Sequence, residues 1–258
     1  MNDMIALFPM FLLIFIRISA FFVTIPIFSY RNIPNTLKIG LSFFLAWIMV
    51  FTIDPYTIPI DVLFIAMILK EALIGILIGF TAYIIFSAIQ TAGGFIDFQM
   101  GFAIANVIDP QTGAQSPLMG QYLYTFALLF LLSVDAHHLL LDGIFNSYQF
   151  IPIDQTWVSF GDSRFSAFLI QTMSYMFIIA FQMALPIVGS LFLVDIALGI
   201  MARTMPQLNI FVVGIPIKII VSFVMLIVIM ASFIYLVRDL FENVLVTLRT
   251  LMRILGGV

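Results

Sequence analysis

Three stretches of this 258-residue chain, 72–96, 165–194 and 219–237, contain no charged residue at all. A bilayer core is crossed by about 20 consecutive apolar residues per helix. Within it each backbone amide must find a partner inside the protein, which leaves only helices and closed barrels. Barrel strands alternate in segments of about 10 residues; these stretches are continuously apolar, so helix is the expected form. Composition agrees. The chain is 63% hydrophobic and 9% charged, with a mean hydropathy of +1.20, whereas a soluble domain carries about 25% charged residues to cover its surface. The expected fold class is all-α: a polytopic helical membrane protein with kinked helices and helical hairpins.

Six apolar regions are expected, at 4–28, 37–53, 62–91, 118–141, 165–197 and 208–237, followed by an amphipathic tail over 238–258. Cysteine is absent, which excludes disulfides and thiolate metal sites. The acidic start, Asn2-Asp3, lacks the positive region of a cleaved signal peptide, so the first region is expected to stay as an anchor. Lys and Arg in short loops mark the cytoplasmic side. By that rule Arg31, Lys38 and Arg203 lie inside, while the acidic segments around Asp54 and Asp61 and over 142–164 lie outside. Six simple spans would then put the tail outside, yet it carries Arg238, Arg249 and Arg253. The span count and the charge rule conflict. Pro9, Pro26, Pro186 and Pro216 fall within apolar regions; proline removes a backbone donor and bends a helix, and Pro186 and Pro216 flank a polar turn at Arg203, as in a hairpin of two bent helices.

Charges and small residues inside these regions carry the next constraints. Ala72, Gly75, Gly79 and Ala82 share one helical face, and small residues there let membrane helices approach closely. Arg17 lies mid-region, where a charge costs at least about 2.5–3.5 kcal/mol; it demands a polar partner, water, or a helix displaced from mid-bilayer. Asp195 and Lys218 raise the same question. Lys70 and Glu71 are neighbours, and so are expected to face apart, each meeting another partner or lying near the interface. Asp135, His137, His138 and Asp142 suggest a metal, but adjacent histidines on a helix diverge by about 100°, and a polar helix end is the expected outcome. No HExxH, Walker A or Gly-x-Ser-x-Gly pattern occurs. Phe160-Gly161-Asp162 only faintly matches intramembrane aspartyl proteases, with Ser159 in place of their first glycine. No enzyme, metal or cofactor is expected.

The stretch 93–117 alternates glycine, bulky apolar and neutral polar residues. It is too long for a tight turn and too apolar for a free loop. Non-helical backbone at membrane depth survives only when buried in protein or lining water. Phe95, Phe98, Met100 and Phe102 could form a hydrophobic constriction that closes a pore by dewetting; a packed re-entrant loop is the alternative.

This central stretch resembles the FliR family, the R subunit of the flagellar type III export gate, with SpaR-like relatives in injectisomes. The likeness runs through Lys70-Glu71, Gly75 and Gly79, Ala92-Gly93, Gln99-Met100-Gly101, Asp109-Pro110 and His138-Leu139-Leu140. It resumes over 198–209, from Leu198-Gly199 to Leu208-Asn209, and covers essentially the whole chain. The resemblance implies a non-enzymatic component of a closed channel in the inner membrane, at the flagellar basal body, that passes unfolded flagellar proteins. It implies P-type and Q-type subunits, an FlhB-type switch protein and an FlhA-type export protein as partners. It also implies a P-like region 1–164, a Q-like hairpin 165–237 and the tail 238–258. A plug within 102–117 would include Ile104, Asn106, Ile108, Asp109, Gln111 and Gln115, and Arg203, Pro206 and Gln207 would form a cytoplasmic turn near the switch protein. Helices partly lifted from the bilayer plane would account for Arg17 and the conflicting span count. A small-solute transporter is the competing function; it should show convergent ion-binding residues and a repeat of broken helices, and the sequence has no such repeat.

Overall fold

The structure, a computed structural model, describes residues 2–29, 33–53, 61–102, 117–155, 163–207 and 209–257, with side chains from residue 7 onward. The helices are α1 (Asn2–Thr24), α2 (Asn35–Val50), α3 (Val62–Met100), α4 (Leu118–Ser133), α5 (Ala136–Phe150), α6 (Ser163–Thr204) and α7 (Ile210–Gly256), with a 3-10 turn at Ile27–Ser29 after α1. No strand occurs among the described residues. The chain is an all-α, multi-pass membrane protein.

Among the described residues the six apolar regions do not each become one spanning helix. With 16 residues, α2 rises about 24 Å, short of the roughly 30 Å hydrocarbon core. The region 118–141 is not one helix: it breaks between α4 and α5, where Asp135 adopts a left-handed φ of 56°. Among the described residues four helices are long and apolar enough to cross a membrane, or five spans if the bent pair counts as one. α7, at 47 residues, is about 70 Å long, more than twice the apolar thickness. The segment expected as a separate tail is therefore the second half of a continuous helix. Pro9, Pro186 and Pro216 lie inside α1, α6 and α7 without ending them.

The chain forms two compact units. Unit 1 comprises Met1–Ile85, Val134–Met173 and Glu242–Val258; unit 2 comprises Phe86–Ser133 and Ser174–Phe241. In unit 1, Leu13, Ile14, Ile18, Phe21 and Phe22 of α1 and Ile74, Ile78 and Ile85 of α3 are completely buried. Phe11 meets Phe43 of α2 edge-on, with ring centroids 5.2 Å apart. The end of α7 adds Val244, Leu248, Leu251, Met252 and Leu255, all buried; this three-and-four spacing is one helical face. In unit 2, Phe241 packs on Phe86 and Phe130, and Gly214 lies against Leu198 near the α6–α7 turn.

Candidate functional site

Arg17 finds its partner in Glu71. The α1 guanidinium donates to both carboxylate oxygens, through Nε to Oε2 and through Nη2 to Oε1 at 3.0 Å. It also donates to Ser147 Oγ and to the Ile151 carbonyl, each at 3.0 Å, and lies over the Tyr148 ring at 4.0 Å. A planar fork on a carboxylate suits burial better than a point charge, and both side chains are fully buried. Lys70 and Glu71 each meet another partner, as expected, but they also meet each other. The flexible Lys70 stem brings Nζ to 2.8 Å from Glu71 Oε1 although the residues are neighbours. The same ammonium donates to the carbonyls of Pro152, Ile153 and Gln155 at 3.2, 3.0 and 2.7 Å. α1, α3, α5 and the segment after α5 are thus joined by one buried polar knot.

The small-residue face of α3 adjoins this knot and packs on α1 of the same chain. A Cβ at Gly75 would overlap the Arg17 carbonyl and lie 2.9 Å from Ala20 Cβ; one at Gly79 would lie 2.9 Å from the Phe21 carbonyl. Ala82 is fully buried and Ala72 half-buried.

In unit 2, α3 continues to Met100, so residues 93–100 are helical and not part of an irregular loop. Gly93 and Gly94 would weaken a free helix by about 1 kcal/mol each. Here Gly93 serves contact: a Cβ there would overlap Gly120 of α4 and lie 2.8 Å from the Met119 carbonyl carbon. Asp97 accepts the Met119 amide at 3.2 and 3.0 Å, a carboxylate placed where the unpaired amides of the α4 N-terminus point. Sequence reasoning missed Asp97 and Gly120. The available signal was a solitary carboxylate in an apolar run, which needs donors.

α3 ends at Gly101, φ +91°, with the Gly101 amide on the Phe98 carbonyl at 3.2 Å and the Phe102 amide on the Asp97 carbonyl at 3.0 Å. This is a Schellman motif, which glycine allows at no steric cost. Just inside it, Gln99 Nε2 donates to Asp195 Oδ2 of α6 at 2.8 Å. Asp195 Oδ1 pairs with Lys218 Nζ of α7, which also donates to the Gln99 carbonyl at 3.4 Å. Asp195 and Lys218 therefore answer each other.

The expected constriction residues do not share one face. Met100 is fully buried, Phe95 and Phe98 are exposed at 39% and 73%, and Phe102 is half-buried. Ile104, Asn106, Ile108, Asp109, Gln111 and Gln115 lie outside the described residues. Arg203 lies in the last turn of α6, and Pro206 and Gln207 follow the helix, all exposed. The expectation that His137 and His138 diverge is also corrected. Their rings lie 4.1 Å apart at the start of α5, and with Asp135 they offer ligand atoms within 4.8 Å of one another. The left-handed Asp135 and the first helical turn gather side chains that a helix interior would separate.

Residues 8–244 match the family model of bacterial export proteins, family 1. The chain is 59% identical over 257 residues to the flagellar biosynthetic protein FliR of Bacillus subtilis (strain 168), covering 99% of each chain. It is 30% identical over 208 residues to FliR of Escherichia coli (strain K12), covering 80% of this chain and 78% of that one. With Yop proteins translocation protein T of Yersinia pestis it shares 32% over 213 residues, 78% of each chain.

Proposed function

Because this chain belongs to the FliR family of bacterial export proteins, we propose that it is the R subunit of a flagellar type III export gate in the bacterial inner membrane. It is a component of a type III export apparatus. The single observation that carries the flagellar assignment is the near full-length likeness to a flagellar biosynthetic protein, at nearly twice the identity shared with the Yop translocation protein. The proposed role is non-enzymatic: part of a closed channel at the basal body that opens for unfolded flagellar proteins. Exposed apolar side chains along α6 and α7, among them Phe192, Leu193, Phe211, Val224 and Ile227, suit lipid or neighbouring subunits. P-type and Q-type subunits, an FlhB-type switch protein and an FlhA-type protein are the proposed partners, with 1–164 P-like and 165–237 Q-like. Copurification in mild detergent tests this. P- and Q-type subunits should come with the tagged chain, whereas a chain recovered alone or as a symmetric homo-oligomer would favour a solute transporter.

Within this function, residues 104–115 serve as a plug, with the exposed Phe95 and Phe98 and the half-buried Phe102 beside it as the apolar seal. The support is the base from which the segment departs: Gly93, Asp97 and Gly101 on one side, Met119 and Gly120 on the other, fixed by the contacts above. Deleting part of 104–115 should make cells leaky to small ions before export fails, read as membrane conductance with assembly checked by copurification. An assembled gate that stays as tight as wild type would leave this segment without a sealing role. The exposed turn at Arg203, Pro206 and Gln207 faces the cytoplasm and the switch protein. Gln207→Cys, the sole cysteine of such a chain, should react with an impermeant thiol reagent from the cytoplasm only; labelling from outside would reverse the orientation.

A further inference from the structure

We propose that Asp195 and Lys218 are gate-positioning residues: a clasp between α6 and α7 that holds the C-terminal end of α3, and with it Phe95 and Phe98, in the closed arrangement. The proposal deepens the export-gate function above and rests on it for the word gate, though not for the clasp.

The sequence isolates these two charges. Asp195 is the sole charged residue between Arg164 and Arg203, and Lys218 the sole one between Arg203 and Arg238. Two lone charges on separate apolar helices are costly apart and mutually compensating together. The structure brings them together on Gln99, each touching the other two members. Asp195 pairs with Lys218 through one oxygen and accepts Gln99 Nε2 through the other at 2.8 Å.

The contact from Lys218 to the Gln99 carbonyl, at 3.4 Å, follows from how α3 ends. The last four carbonyls of a helix lack intrahelical partners. The Schellman turn at Gly101 satisfies those of Asp97 and Phe98. Gln99 comes next, and a cation at a helix C-terminus is favoured by the helix dipole as well as by the hydrogen bond. Lys218 therefore completes the cap of α3 from another helix.

The clasp is also placed where it can open. The Lys218 and Asp195 side chains keep 19% and 36% of their surface exposed, unlike the fully buried Arg17–Glu71 pair. A partly exposed charge that loses its partner is less desolvated than a fully buried one, so losing the clasp shifts the α3 end without collapsing the fold. Phe98 adjoins Gln99 and is 73% exposed; any displacement of Gln99 moves it directly.

The test uses full-length protein coexpressed with its partner subunits in cells lacking the native chain. Asp195→Asn, Lys218→Met and their double are compared with Asp195→Glu and Lys218→Arg. The readouts are recovery of the complex, ion leak across the membrane, and the rate at which Phe98→Cys reacts with a thiol reagent in the purified complex. The charge-removing variants should assemble, leak several-fold more than wild type and change the Phe98→Cys labelling rate several-fold. The double should do no more than either single, as expected for residues acting as one unit, and the charge-conserving variants should restore tightness. Unchanged labelling in Lys218→Met and Asp195→Asn would overturn the clasp whatever the protein exports. Changed labelling with a tight membrane would overturn its role in gating. The export function fails separately, if cells lacking the chain still secrete flagellar proteins.

Discussion

Glu71→Ala is expected to leave almost no folded protein in the membrane. Among the described residues Glu71 is the only carboxylate that contacts both Arg17 and Lys70, and all three side chains are buried. Removing it leaves two buried cations held by carbonyls, the Ser147 hydroxyl and the Tyr148 ring, with no carboxylate contact among the described residues. Breaking a buried pair by deleting one partner costs about 3–5 kcal/mol, a large part of the roughly 5–15 kcal/mol that stabilises a typical domain. Arg17→Met with Glu71→Leu should do better than Glu71→Ala alone, because it leaves one buried cation, Lys70, without its carboxylate instead of two. Steady-state protein level and thermal unfolding in detergent give the comparison. A Glu71→Ala protein as abundant and as heat-resistant as wild type would mean that the knot does not hold these helices.

Gly75→Leu should be nearly as severe. Overpacking that side chains can absorb costs about 1–3 kcal/mol. Here the first atoms met are the Arg17 carbonyl and Ala20 Cβ, so α1 must move as a body, and its movement would pull Arg17 from Glu71. Gly79→Leu meets Thr24 Oγ1 first and then the Phe21 carbonyl and the Ile25 amide at the α1 end, and should act likewise. Gly40→Ala is the control: a Cβ there meets nothing within 4 Å, and alanine favours helix over glycine by about 1 kcal/mol. The measurement is recovery of monodisperse protein in mild detergent. Normal recovery of Gly75→Leu would show that α1 and α3 are not closely packed through this face.

The helical membrane class was legible in the sequence because it depends on local composition. An uncharged run of bilayer length has few alternatives, and residues 72–96 alone would support the assignment. The small-residue face of α3 was legible too, since 100° per residue places Gly75 and Gly79 together. What those glycines touch was not, because a stripe of small residues fits any partner helix equally well. It took α1 of the same chain to specify it.

Tertiary structure decided the rest. The sequence showed that Arg17, Asp195 and Lys218 needed partners. It could not show that Glu71 lies 54 residues from Arg17 in the chain yet against it in space, or that Asp195 and Lys218 answer each other across two helices. Local rules misjudged Lys70 and Glu71, whose long side chains converge although their backbone directions diverge, and His137 and His138, gathered at a bend that no periodicity announces. The extension of α3 through Gly93 and Gly94 has the same origin: propensity argues against helix there, and close contact with Gly120 overrides it. Hydrophobicity acts residue by residue and can be read along a chain. Polar pairing and close packing are properties of two surfaces, and only the fold brings the second surface into place.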